Sequence, residues 1–103
     1  MADVIAEREE TPHFAGLLGI EWLDDDPAAA RARLDVRDEL LQPFGIVHGG
    51  VLSTLVESVC SRATALAIYE DGMVAMGQSI NVSFMRPIAA GSIEATSTPA
   101  CSA

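Results

Sequence analysis

A glycine-rich turn that runs straight into a long apolar stretch most constrains how this 103-residue chain can fold. The turn spans residues 42–50, QPFGIVHGG, and the apolar stretch continues from Val51 to Tyr69. A helix that begins at such a turn presents unpaired backbone N–H groups and the positive end of its dipole. Because glycine lacks Cβ, a ligand could approach those groups closely. The pattern therefore predicts an accessible helix N-terminus.

The predicted helix has two faces of different chemistry. Its apolar face repeats with the helical period and contains Val51, Leu52, Leu55, Val56, Val59, Ala63 and Leu66. Its other face carries small polar side chains: Ser53, Thr54, Ser58, Ser61 and Thr64. Glu57 is the only acid within the helix body, so a single carboxylate lies two turns beyond the glycines. A face of this kind favours burial against a sheet or a partner over full exposure to water.

Strand-like segments flank the helix on both sides. Residues 20–23 and 28–36 predict a hairpin, since alternation in the second segment places Arg and Asp opposite Ala, Leu and Val. Residues 73–85 predict a long strand, and residues 93–98 predict another. The fold class is therefore α+β, an antiparallel sheet packed on one helix, within a single domain covering residues 1–103.

Charge and composition exclude several classes of function. The net charge of −9 argues against nucleic-acid binding, which needs a basic surface. The sequence contains no run of 18 or more apolar residues, which a membrane-spanning helix would need. The N-terminus lacks the pattern of a signal peptide, so we expect a cytoplasmic protein. Cys60 and Cys101 lack metal-ligand spacing, and Cys60 is interpreted as a small core residue. His13 and His48 also suggest no metal site.

The residues around the turn resemble a known family. Gln42, the His48-Gly49-Gly50 triplet, Glu57 and Ser61 together resemble the hotdog-fold acyl-CoA thioesterases. Their combined spacing is more specific than a lone HGG, and the resemblance extends over roughly residues 17–97. The most similar branch is the phenylacetate type, with the small thioesterases of menaquinone and enterobactin pathways. The resemblance implies an antiparallel sheet wrapped around one long central helix, here expected to lack the last two strands.

That resemblance implies roles for the two groups at the heart of the site. Glu57 would be the catalytic carboxylate, as nucleophile or as general base on water, whereas the alternative is an acid that pairs with a neighbour. The Gly49 N–H would polarise the thioester carbonyl, and Gly50 would permit its close approach. The alternative for both glycines is a plain helix start.

The resemblance also implies roles for three polar side chains nearby. Gln42 and His48 would orient the thioester carbonyl and the leaving thiolate, while their alternatives are loop packing and helix capping. Ser61 would hold the attacking water near Glu57. Its alternative is a helix serine that bonds back to its own turn.

Three residues after the helix complete the implied site. Arg86 would meet the phosphates of coenzyme A across a dimer interface, unless it is an ordinary surface arginine. Asn81 belongs to the region that resembles the long edge strand of the family. Phe84 occupies a position that is polar in some relatives, so it is expected to affect the preference for the acyl group.

The implied activity is hydrolysis of an aromatic or medium-chain acyl-CoA thioester to free acid and CoA. It requires no cofactor and no metal. The expected assembly is a homodimer or homotetramer with shared active sites. The alternatives are a non-hydrolytic module that binds acyl-CoA or an acyl carrier, and an inactive shortened relative. A hotdog dehydratase is disfavoured because its His–acid motifs are absent from the sequence.

Overall fold

The computed structural model describes residues 10–100, so residues 1–9 and 101–103, with Cys101 among them, lie outside the described part. The elements in chain order are helix α1 (Phe14–Leu18), strands β1 (Glu21–Asp24) and β2 (Arg31–Asp35), a 3-10 turn (Asp38–Leu40), helix α2 (Gly49–Ile68), a second 3-10 turn (Tyr69–Asp71) and strand β3 (Ser92–Thr96). The three strands form an antiparallel sheet in the order β1-β2-β3, and α2 packs against it. This arrangement confirms the predicted α+β class.

The core lies between the central strand and one stripe of α2. Ala30, Ala32 and Leu34 are completely buried, as the alternation along this segment predicts. The helix contributes residues at intervals of four: Val51, Leu55, Val59 and Ala63. Sheet and helix therefore bury most of the two faces that the sequence marks as apolar, except that Val56 on the helix is 41% exposed. The polar stripe of α2 is directed away from this core.

Arg62 connects the middle of α2 to the hairpin turn between β1 and β2. Its Nε donates to Asp25 Oδ1 at 2.6 Å, and its Nη2 donates to Asp25 Oδ2 at 3.0 Å. The guanidinium also lies over the Trp22 ring, 4.3 Å from the centroid. Because only 14% of the Arg62 side chain is exposed, this contact is partly shielded from water and fixes the rotation of α2 over the sheet.

We expect Arg62→Ala to lower the free energy of unfolding by about 1–2 kcal/mol, from the lost charged hydrogen bonds and the lost packing on Trp22. The hydrogen bonds from Arg62 hold the pKa of Asp25 below its usual value. The pair therefore makes its full contribution to the free energy of unfolding at pH values above the usual pKa of an aspartate. That contribution declines as the pH falls through the lower pKa of Asp25 in the folded state. Urea unfolding near neutral pH and at about pH 3 should show the difference between wild type and variant shrinking in acid.

Arg62→Lys is the matched control for this prediction. Lysine keeps the positive charge but cannot donate to both carboxylate oxygens in the fixed geometry of a guanidinium. We expect it to restore only part of the lost stability. Equal stability of the Ala variant and the wild type near neutral pH would show that the contact with Asp25 does not stabilise the fold.

The segment after α2 is not the strand that the sequence predicts. Residues 73–91 contain no strand, and among the described residues those from 73 to 87 make no backbone–backbone hydrogen bond. The prediction was wrong because alternation indicates only an extended backbone, and a strand also needs a neighbour with which to pair. The segment exposes several large apolar side chains: Val74, Met76, Ile80, Phe84 and Met85.

Within the described residues, the stretch Gly49–Asp71 is long and apolar enough to cross a membrane by length and composition alone. Core helices of globular proteins meet the same criterion, and α2 packs a stripe of its residues against the sheet. The helix then ends through the 3-10 turn at Gly72, whose φ of 73° is the left-handed conformation that glycine adopts readily.

Candidate active site

His48 caps the N-terminus of α2. Its backbone is extended, and its Nδ1 accepts a hydrogen bond from the Gly50 N–H at 2.8 Å. Its carbonyl oxygen accepts from the Val51 N–H at 2.9 Å. The structure therefore shows the capping geometry that the sequence left as an alternative for His48. Because Nδ1 is an acceptor, the neutral ring carries its proton on Nε2, and the exposed side chain can donate that proton to a ligand.

The Gly49 N–H is the free donor at this helix start. Among residues 10–100 it has no hydrogen-bond partner, whereas the next two N–H groups bond to His48. A free N–H at the positive end of a helix dipole is suited to an oxygen that gains negative charge. The sequence-based choice of Gly49 as the donor is therefore compatible with the geometry.

The glycine pair makes room for side chains of this chain as well as for a ligand. A Cβ at Gly49 would lie 3.0, 3.3 and 3.5 Å from three atoms of the Phe84 ring. A Cβ at Gly50 would lie 3.0 Å from His48 Nδ1. The sequence predicted space for a ligand, and the structure fills part of that space with an aromatic ring and an imidazole.

A cavity of about 470 Å³ opens beside this helix start. Gln42, Gly49, Phe84 and Arg86 line it together with apolar residues such as Leu52. A tight turn holds Gln42 in place, since its N–H donates to the Ile46 carbonyl at 2.8 Å and its carbonyl accepts from the Gly45 N–H at 2.9 Å. The structure thus brings together four predicted site residues; we name them the Gly49 half-site.

Glu57 and Ser61 form a second group further along α2. The Ser61 hydroxyl donates to Glu57 Oε1 at 2.7 Å. Other hydroxyls on this face, those of Ser53, Thr54 and Thr64, instead donate to backbone carbonyls of the preceding turn. Ser61 therefore does not take the alternative of bonding to its own turn. With Asn81 it lines a cleft of about 360 Å³ beside Glu57, and we name Glu57, Ser61 and Asn81 the Glu57 half-site.

Gly77 is a residue of this cleft that the sequence analysis missed. A Cβ at this position would lie 3.3 Å from Glu57 Oε1, closer than most side-chain contacts. The backbone of the extended segment therefore passes directly over the carboxylate. An isolated glycine within an alternating apolar pattern often marks such a close approach of backbone, and that signal could have identified Gly77.

Cys60 is exposed, so its interpretation as a core residue was wrong. It follows the buried Val59 by one residue, and one residue of a helix corresponds to a rotation of about 100°. That rotation carries the thiol out of the core and into the wall of the Glu57 cleft.

The two half-sites lie apart along α2. Gly49 and Glu57 are eight residues apart in one helix, which corresponds to a backbone rise of about 12 Å along the axis. That rise disfavours direct contact of both groups of one chain with the same carbonyl group. Neither His48 nor Gly50 lines either of these two cavities.

Arg86 is the arginine among residues 10–100 that has no carboxylate partner. The others pair with acids: Arg31 with Glu94, Arg33 with Glu21 and Asp35, Arg37 with Glu39, and Arg62 with Asp25. Arg86 is exposed at the rim of the Gly49 half-site. A free cation there gives an acidic protein one local point that can attract an anion.

A long helix packed on an antiparallel sheet is the arrangement of the hotdog class of folds. The sequence family described as the thioesterase superfamily matches residues 44–100, more than half of the chain. The chain therefore belongs to the thioesterase superfamily and has its hotdog fold.

Individual relatives agree with that assignment. A Mycobacterium tuberculosis protein that carries the provisional name of an esterase is 38% identical over 99 residues, which cover 94% of this chain and 71% of the relative. Its solved structure superposes with a TM-score of 0.84 over 87% of this chain and 73% of the other, at 37% identity.

Two further relatives carry more specific names. The structure of a Haemophilus influenzae thioesterase has a TM-score of 0.84 and 31% identity, covering 95% of this chain and 68% of that one. A 1,4-dihydroxy-2-naphthoyl-CoA hydrolase of Listeria monocytogenes is 35% identical over 79 residues, covering 77% of this chain and 63% of the relative. The names of these relatives support hydrolase activity for the family to which this chain belongs.

Proposed function

We propose that this chain hydrolyses an acyl-CoA thioester to a free acid and CoA, at sites shared between two copies of the chain. The observation that carries the proposal is the pairing of Glu57 with Ser61 on a helix whose first N–H group is free. A thioester needs a hydrogen-bond donor at its carbonyl oxygen and a base or nucleophile at its carbon. The two half-sites supply these groups, and the rest of the reaction uses the good leaving ability of a thiolate.

The proposed reaction begins with the carbonyl oxygen on the Gly49 N–H. If Glu57 is the base, it takes a proton from a water that Ser61 helps to hold, and the hydroxide adds to the carbonyl carbon. Negative charge then develops on the oxygen, where the N–H and the helix dipole stabilise it. The C–S bond breaks and the CoA thiolate leaves, with the Gln42 amide, which lines the cavity, as a donor beside it. If Glu57 is the nucleophile, an anhydride forms first and water then hydrolyses it.

The helix geometry supports the proposal of a shared site. The Gly49 half-site of one copy would face the Glu57 half-site of another, which removes the separation of about 12 Å between these groups within one chain. A homodimer provides two such pairs, and a homotetramer four. Met76, Phe84 and Met85 are exposed near the cavities and suit an aromatic or medium-chain acyl group.

The test of the proposed function is release of thiol from a panel of acyl-CoA thioesters that includes aromatic and medium-chain acyl groups. We expect saturable release with a preference for those two classes. Binding of the same thioesters without release of thiol would instead assign the chain to non-hydrolytic acyl-CoA-binding modules. The mass of the assembly in solution, measured on the same preparation, tests the shared site separately.

Arg86 is proposed to bind the phosphates of CoA. We expect Arg86→Ala to raise the KM for acyl-CoA about tenfold with little change in kcat, since one charged contact to phosphate is lost from ground and transition states alike. The KM for the corresponding acyl thioester of N-acetylcysteamine, which has no phosphate, should not change. Initial rates over a range of substrate concentrations give both constants.

The control for this prediction is Arg31→Ala, which removes an exposed arginine that is already paired with Glu94. It should leave both KM values unchanged. If Arg86→Ala raises the KM of the phosphate-free thioester to the same extent, Arg86 does not recognise the phosphates.

A further inference from the structure

We infer that Phe84 is a steric filter for the carbon next to the thioester carbonyl, so that it selects acyl groups that are unbranched at this position. The inference rests on the proposed function, because it places the carbonyl oxygen at the Gly49 N–H. The ring lies against the Gly49 Cα, with three ring atoms within 3.5 Å of the position where a Cβ would be. It is therefore adjacent to the free donor.

The position of the ring leaves it little freedom in one direction. The helix backbone lies directly beneath it, so the ring cannot move towards α2 without a clash. Phe84 as a whole is 56% exposed, and it forms part of the cavity wall with Leu52 and Arg86. If a thioester carbonyl bound at the Gly49 N–H, the Phe84 ring would lie beside it, next to the first carbon of the acyl group.

A branch on the first carbon of the acyl group would point into the space that the ring fills. A straight chain or a flat group can pass along the ring face, where it gains contact area. The size of one methyl group commonly changes kcat/KM by about 10-fold or more in a well-fitted pocket. Discrimination against branching, rather than overall affinity, is therefore the property that Phe84 should control.

The experiment compares butyryl-CoA with its branched counterpart 2-methylbutyryl-CoA. In the wild type, we expect a preference for the straight chain in kcat/KM. Phe84→Ala should reduce that preference about tenfold, mostly through a gain for the branched substrate, and Phe84→Leu should have an intermediate effect. Val74→Ala is the matched control, because Val74 is an exposed apolar residue of the same segment that lines neither the Gly49 cavity nor the Glu57 cleft, and it should leave the preference unchanged.

An unchanged preference in folded Phe84→Ala and Phe84→Leu would overturn the inference, whether both substrates keep their kcat/KM or lose it equally. Binding of the matching ketones S-(2-oxopentyl)-CoA and S-(3-methyl-2-oxopentyl)-CoA, which keep the carbonyl group but have no thioester bond to hydrolyse, repeats the comparison by calorimetry. If the wild type binds these compounds but releases no thiol, the proposed hydrolysis fails. The ratio of the two affinities still decides whether Phe84 is the filter.

Discussion

Glu57→Gln is expected to lower kcat by about a thousandfold while KM stays within a few fold of the wild-type value. Glutamine has nearly the same shape and keeps an oxygen that can accept the hydrogen bond from Ser61. It cannot take a proton from water and cannot attack a carbonyl carbon. Because both proposed roles of Glu57 stabilise only the transition state, the loss should fall on kcat. Thiol release under saturating acyl-CoA measures it.

The matched control is Glu70→Gln, which removes an acid from the turn after α2, outside the residues that line the Glu57 cleft. It should retain the wild-type rate. Ser61→Ala should have a milder effect than Glu57→Gln, about tenfold, since the carboxylate remains and only one hydrogen bond is lost. Hydrolysis by Glu57→Gln at a rate close to that of wild type would exclude Glu57 as base and as nucleophile.

A single turnover in water enriched in oxygen-18 tests the nucleophile role. If Glu57 is the nucleophile and water attacks the Glu57 side-chain carbon of the anhydride, the heavy oxygen stays in the protein. If Glu57 is the base, or if water attacks the acyl carbon of the anhydride, the heavy oxygen enters only the acid product. Mass analysis of the peptide that contains Glu57 reads the difference.

The parts of the fold that the sequence predicted are those determined by local patterns. The alternation around Ala32 and Leu34 predicts which face of β2 is buried, and the four-residue spacing of Val51 and Leu55 predicts the core face of α2. Asp24 and Asp26 predict the hairpin turn, where each carboxylate accepts a hydrogen bond from a backbone N–H two residues ahead. In each case the residues that cause the structure are close together in the chain.

The parts that the sequence did not predict depend on contacts between distant residues. The packing of Phe84 on Gly49 joins residues 35 positions apart, and no local pattern indicates it. The approach of Gly77 to Glu57 is of the same kind. Residues 73–85 have the alternation of a strand but need a pairing partner, which local pattern cannot supply. The predicted site residues came from the resemblance of the chain to the hotdog thioesterases. The division of these residues into two half-sites became clear only from the structure, because it depends on the length of α2.

Replacement of Gly49 by proline should lower kcat about a hundredfold, because it removes the N–H that is proposed to bind the carbonyl oxygen. Proline is well tolerated at the first position of a helix, and this N–H has no partner among the described residues, so α2 loses no hydrogen bond. His48, with φ of −61° and ψ of 133°, already has the conformation that a residue before proline requires. Thermal unfolding should confirm that the variant remains folded.

Gly49→Ala is the control that separates the N–H from the added carbon. Both variants place a Cβ about 3.0 Å from the Phe84 ring, but alanine keeps the N–H. We expect the alanine variant to retain at least about a tenth of the wild-type kcat. Equal losses in the two variants would mean that displacement of the Phe84 ring, and not loss of the donor, causes the defect.

Mixing Gly49→Pro with Glu57→Gln then tests whether the sites are shared. Each variant alone lacks one half of every site. In a hybrid dimer with one chain of each variant, the intact Gly49 half-site of the Glu57→Gln chain meets the intact Glu57 of the Gly49→Pro chain. One of the two sites is then complete. Random exchange of subunits should therefore restore about a quarter of the wild-type activity. If the chains exchange, as labelled subunits would show, and the mixture is no more active than its components, the half-sites do not combine between copies.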